Sequence, residues 1–132
     1  MSGHSVLIVE DEILIRLALS EYLAECGFSV LEAADAAEAM ELMEREKVDI
    51  IFTDVRMPGD MDGIAFAQWV LKHWPGLPVM LTSGEMSGIK AMEELCRSEH
   101  VNVFTKPYRY AEVEKKMHEA ISLSKQSAAK QS

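Results

Sequence analysis

Asp54 ends the apolar run Val48-Asp49-Ile50-Ile51-Phe52-Thr53 and leads straight into Val55-Arg56-Met57-Pro58-Gly59. Glu10 and Asp11 follow Val6-Leu7-Ile8-Val9, Thr82 follows Val79-Met80-Leu81, and Lys106 comes just after Val103-Phe104. Acids, a hydroxyl and an amine thus stand at the ends of four apolar runs. Brought together, three carboxylates repel: two like charges about 4 Å apart cost about 4 kcal/mol at an effective dielectric of roughly 20. Such a cluster needs a cation. Hard oxygen donors that leave room for water suit Mg²⁺ better than zinc, which favours His and Cys. Lys106 adds a fixed positive charge, and the Thr82 hydroxyl can bond a further oxygen. Phosphoryl transfer requires this equipment, because it depends on positioning and on stabilising charge at the equatorial oxygens. Asp54, between the loop and the metal, is the best placed nucleophile.

The elements that must carry these residues alternate along the chain. Apolar runs predict strands over 5–9, 28–31, 48–53, 78–81 and 101–104. Helical spacing predicts helices between them. The first covers 12–26 and stops at Gly27; the second opens at Asp35, with Glu38 three residues on and Ala36, Met40 and Met43 on one face. Asp62 caps the third, which carries Ile64, Ala67, Val70, Leu71 and Trp74 and ends at Pro75-Gly76. Ser87 caps the fourth, with Ile89, Met92 and Cys96 inward. The fifth runs from Tyr110 with Val113, Met117, Ala120 and Ile121 on its inner face. Five strands alternating with five helices make an α/β fold with a doubly wound parallel sheet. The interrupted strands two and five suit the edges, which gives the order 2-1-3-4-5. Ligands bind in that arrangement where the winding reverses, between strands one and three, and Asp11 and Asp54 would flank the point.

Bulk properties set the limits. The 132 residues make one domain, expected over 5–123, with a polar, frayed tail over 124–132. Hydrophobic residues form 48% of the chain, a globular value, yet no run approaches the length of a membrane span. The N-terminus lacks a secretion signal, and Cys26 and Cys96 form no CxxC pair, so a reduced, cytoplasmic setting is expected. With 22 acidic against 13 basic residues the net charge is -9, which disfavours direct binding to nucleic acid.

The segments from Val6 to Glu12 (VLIVEDE), Phe52 to Gly63 (FTDVRMPGDMDG), Met80 to Gly84 (MLTSG) and Phe104 to Tyr108 (FTKPY) resemble the receiver domain of bacterial two-component response regulators. The resemblance implies a phospho-acceptor that signals by protein contact and is not a turnover enzyme. Asp54 would take a phosphoryl group from the phosphohistidine of a histidine kinase or histidine phosphotransferase. Asp11 and Asp54 would ligate Mg²⁺ by their side chains and Arg56 by its backbone carbonyl, with Glu10 acting through metal-bound water. Lys106 would pair with the phosphoryl group, Thr82 would move towards it, and the Lys106-Pro107 bond would be cis. The downstream target would dock on the fourth helix, fifth strand and fifth helix, roughly 86–123.

Three departures from the family pattern stand out. Val103 replaces an aromatic often found three positions before the lysine, and Phe104 should point to the opposite face. Arg56 puts a long cation at the rim, where the family tunes dephosphorylation. Asp60 is an extra residue in the loop to Asp62-Gly63.

Taken singly, each residue has a plainer role. A strand-end Asp is more often a turn or cap residue, and Glu12 and Asp62 are read that way. Trp69 and Trp74 read as packing, the four histidines as surface residues, and Tyr108 and Tyr110 as readout or core packing equally. Convergence of Asp54 with Asp11, Thr82 and Lys106 decides for the site. A degenerate receiver that binds a partner unphosphorylated is the alternative. Mg²⁺-dependent phosphatases of the haloacid-dehalogenase type want a second Asp where Arg56 stands, and no Walker loop or GxGxxG is present.

Overall fold

A computed structural model describes residues 3–84 and 90–131. The chain alternates β1 (Ser5–Val9), α1 (Ile13–Glu25), β2 (Ser29–Ala33), α2 (Ala36–Arg45), β3 (Ile50–Asp54), α3 (Gly63–His73), β4 (Val79–Ser83), α4 (Lys90–Leu95), β5 (Val101–Thr105) and α5 (Tyr110–Gln131). All strands are parallel, in the order β2-β1-β3-β4-β5. The expected architecture is the one observed.

Period-two alternation divides the core. Leu7, Val9, Ile51 and Leu81 face α2, α3 and α4, where Ala39, Met43, Phe66, Val70 and Met92 close the layer. Val6, Ile8, Phe52 and Met80 point the other way, onto Leu19 and Leu23 of α1 and Val113 and Met117 of α5. The central strands β3 and β4 are buried throughout, whereas β2 and β5 are only partly covered, as edges should be.

Local signals bound three of the helices where the sequence places them, at the end of α1 and the starts of α2 and α3. Gly27, at φ +99°, closes α1: its N–H donates to the Ala24 carbonyl and that of Phe28 to the Leu23 carbonyl, satisfying two orphan acceptors. Asp35 Oδ1 accepts from the Glu38 N–H at 2.9 Å, and Asp62 Oδ1 from the Ala65 N–H at 2.8 Å. Glu12 holds the N-cap position of α1 but makes no side-chain cap; its own N–H instead donates to Glu10 Oε2 at 3.1 Å.

Several boundaries differ from expectation. β2 runs later, over Ser29–Ala33, because Phe28 is taken up by the α1 cap. The expected cap Ser87 and inward Ile89 lie outside the described residues, and Cys96 is exposed beyond the end of α4. Trp69 packs on Phe66, ring centroids 6.1 Å apart, while Trp74 leans on Trp69 and stays 36% exposed. α5 continues as helix to Gln131, past the expected start of the polar tail.

Gly63 seats α3 against the acceptor strand. Its N–H donates to the Val55 carbonyl at 2.8 Å, and a Cβ there would overlap the Asp54 carbonyl oxygen. Only glycine permits that approach.

Candidate functional site

The strand ends converge as the topology requires. Asp54 is the last residue of β3, opposite Thr82 of β4, and Thr82 is in turn opposite Phe104 of β5. Glu10 and Asp11 leave β1, the other neighbour of β3. Between them opens a crevice of about 930 Å³, lined by Asp11, Glu12, Asp54, Arg56, Met57 and Lys106 among others.

Asp54 is 8% exposed and held at both oxygens. Oδ2 accepts from Lys106 Nζ at 2.7 Å, and Oδ1 from the Arg56 N–H at 3.2 Å. A charge-assisted contact this short fixes the carboxylate at the crevice wall. The Lys106 backbone N–H donates to the Ser83 carbonyl at 3.0 Å, tying the lysine to the end of β4, and the Lys106-Pro107 bond is cis as expected. Burial pulls the Lys106 ammonium down, but its hydrogen bond to Asp54 and the charges of Asp54, Glu10 and Glu12 outweigh that, leaving its pKa raised.

Glu10 behaves differently. It is buried and its pKa is pushed up to about 7, chiefly by burial. The hydrogen bond from the Glu12 N–H opposes the shift, while the charge of Asp54 and a hydrogen bond with Asp11 add to it. Lys106 cannot by itself neutralise Glu10, Asp11 and Asp54. Thr82 is buried in the strand beside Asp54.

Among the described residues no three Asp, Glu, His or Cys side chains close into a ready-made metal cage. The donor chemistry still fits a hydrated divalent ion: Asp11 is exposed at the crevice, Asp54 faces it, and net negative charge remains beyond what Lys106 offsets. Mg²⁺ is commonly held by one or two carboxylates while keeping several waters.

Arg16 and Glu32 stand in no motif of the sequence, yet both reach the end of β1. Arg16 Nη1 donates to the Glu10 carbonyl at 2.8 Å and its Nε to Glu32 Oε1 at 3.1 Å. An Arg between Ile15 and Leu17 is a faint signal, since a solvated helix arginine looks the same. Val103 packs with the α2–α3–α4 layer and Phe104 with the α1–α5 layer, so the two do face opposite sides. Tyr108 meets Phe52 edge-on at 5.7 Å, and burial first, then the Tyr110 charge, pushes its pKa up to about 12. Tyr110 lies 5.3 Å from Tyr22, so both tyrosines pack against the α1–α5 layer.

Known proteins resemble this chain in sequence and fold. The chain is 30% identical over 115 residues to sporulation initiation phosphotransferase F of Bacillus subtilis, covering 86% of this chain and 90% of that protein. A protein-glutamate methylesterase/protein-glutamine glutaminase of Anaeromyxobacter dehalogenans is 38% identical over 104 residues, which are 77% of this chain but 29% of that protein. The chain thus spans under a third of the methylesterase relatives it matches. The solved receiver domain of NtrX from Brucella abortus superposes with a TM-score of 0.79 at 25% identity, covering 89% of this chain and 98% of that one. A CheY-like receiver from Methanospirillum hungatei, 22% identical, shares the fold with a TM-score of 0.84 over 94% of this chain and 98% of that one. Residues 6–118 match the response regulator receiver domain, and with the sheet order and the acids at its carboxyl edge they show that the chain belongs to the response regulator receiver family.

Proposed function

We propose that the protein is a phospho-acceptor in a two-component relay, with Asp54 taking the phosphoryl group of a phosphohistidine on a histidine kinase or histidine phosphotransferase. The observation that carries this is the contact of Asp54 with Lys106 at 2.7 Å, at the mouth of an acidic crevice and opposite Thr82. An Asp54 oxygen attacks phosphorus, the bond from phosphorus to the donor imidazole breaks, and the nitrogen keeps the bonding pair. Lys106 holds Asp54 in place, then transfers its hydrogen bond to a phosphoryl oxygen. Thr82 bonds another oxygen. Asp11 and Asp54, the Arg56 carbonyl, and Glu10 through water would hold Mg²⁺. That ion supplies charge neutralisation for the phosphoryl oxygens.

Donor access fits the face beside the crevice. Ile13, Leu14 and Leu17 at the start of α1 are 57%, 79% and 43% exposed, an apolar platform next to Asp11 and Glu12 for a helical phosphodonor. Each phosphorylation is stoichiometric, so the protein is a switch, not a turnover enzyme. Output passes by protein contact through α4, β5 and α5, within a receiver unit of 5–123 followed by a polar segment over 124–132. A net charge of -9 argues against direct contact with nucleic acid. Among the described residues no helix is long and apolar enough to cross a membrane, and two free cysteines fit the cytoplasm. The unphosphorylated alternative finds no support: Asp54 contacts Lys106 and stands opposite Thr82, as the acceptor reading requires.

Incubation with acetyl phosphate or phosphoramidate and Mg²⁺, followed by intact mass, tests the proposal. A single base-labile phosphoryl adduct is expected on the wild type and not on Asp54→Asn. An adduct that persists in the variant, or none from small donors and phosphohistidine alike, overturns it.

A further inference from the structure

Residues 10–12 lie between the end of β1 and the start of α1, outside both the sheet ladder and the helix. The Glu10 peptide is nonetheless held from two sides. Its N–H donates to the Ala33 carbonyl at the end of β2, 3.0 Å away, and its carbonyl accepts from Arg16 Nη1 at 2.8 Å. Arg16 is itself braced from β2, with Nε donating to Glu32 Oε1 at 3.1 Å, and its side chain is only 16% exposed. The Glu10 carbonyl belongs to the peptide plane that joins Glu10 to Asp11. Its direction therefore sets the angle at which Asp11 enters the crevice. A guanidinium fork can serve two acceptors in fixed geometry, which an ammonium cannot.

We propose that Arg16, oriented by Glu32, is a positioning residue for divalent-cation binding at the acidic crevice. It locks the Glu10–Asp11 peptide so that the carboxylate of Asp11 converges with that of Asp54. The inference rests on the proposed Mg²⁺-dependent acceptor. It also separates cleanly from a Coulombic role. Arg16 is a cation near a cation site, so on charge alone its removal would tighten binding; as a positioning residue, its removal weakens it.

The test uses the full chain and Mn²⁺ as a spin probe, with free Mn²⁺ counted by electron paramagnetic resonance and bound Mn²⁺ displaced by Mg²⁺. Arg16→Met should bind about tenfold more weakly, the lower range for loss of a group that orients a metal ligand. Arg16→Lys keeps the charge and should recover only part of that loss, and Glu32→Gln should weaken binding less than Arg16→Met. Circular dichroism on the same samples reports the fold; a merely structural residue would lower the melting temperature and leave affinity untouched. Wild-type or tighter affinity in a folded Arg16→Met overturns the inference. Should Arg16→Met not fold, wild-type affinity in both Arg16→Lys and Glu32→Gln overturns it, and a loss in both supports it. Wild-type protein that binds neither ion overturns the acceptor proposal as well, whereas binding that is merely insensitive to Arg16 overturns this inference alone.

Discussion

Two cation–carboxylate pairs flank the same crevice and differ in what they hold. Lys106 pairs with Asp54 inside it, through a side chain that is 35% exposed and a flexible stem. Arg16 pairs with Glu32 behind it, and spends its second contact on a backbone carbonyl. The first is partly open to solvent at the crevice, whereas Arg16 is shielded and held by two acceptors. On the proposed function, the first pair is the one expected to exchange on phosphorylation and the second the one expected to stay. The difference lies in geometry, because a point charge is exchangeable while a planar fork with two acceptors is not.

The largest effect should come from the side that exchanges. Asp54→Asn abolishes the phosphoryl adduct in intact mass, and any residual base-labile adduct would move the acceptor elsewhere. Lys106→Ala should slow phosphorylation by acetyl phosphate by roughly a hundredfold, as loss of one charge-stabilising donor does. A rate near wild type would mean that the contact to Asp54 is only a resting pair.

Glu10 is buried next to Asp11, and the charge of Lys106 only partly offsets that burial. Its pKa is raised from 4.5 to about 7, so the fold favours its protonated form. That contribution is fully present below the unfolded value and is lost as pH rises through about 7. Metal-free protein should therefore have a lower urea midpoint at about pH 8 than at about pH 5, beyond any change seen in Glu10→Gln. Mg²⁺ should remove the excess. An identical pH profile in wild type and Glu10→Gln would show that the burial of Glu10 is relieved some other way.

The smallest effect is expected at the rim. Arg56 is exposed and contributes its N–H to Asp54 Oδ1. Arg56→Ala keeps that backbone bond, so adduct formation should persist while the decay rate of phospho-Asp54 changes. Equal decay in variant and wild type would rule the side chain out of the hydrolytic step.

Much of this molecule was legible along the chain. Continuous apolar runs at 6–9, 50–53 and 79–81 marked strands buried on both faces, and Gly27, Asp35 and Asp62 acted where their backbone preferences predict. Boundaries failed where a neighbour took the residue, as the α1 cap took Phe28 from β2. Within the site, Asp54, Lys106 and Thr82 were findable because each follows an apolar run and so must emerge at one sheet edge. Arg16 and Glu32 were not, because a helix arginine and an edge-strand glutamate are ordinary surface residues until their partners are known.

Residue type and spacing alone determined the sheet order, the edge at which chemistry gathers and the kinds of groups gathered there, since period-two burial and parallel crossovers admit few arrangements. Only the tertiary structure decided which charges pair. The 2.7 Å contact across 52 residues, the burial that lifts Glu10 towards neutrality, and the bracing of the Glu10 peptide all depend on distances between elements remote in sequence. Electrostatic energy varies with separation and local dielectric, and neither is written in the order of residues along a chain.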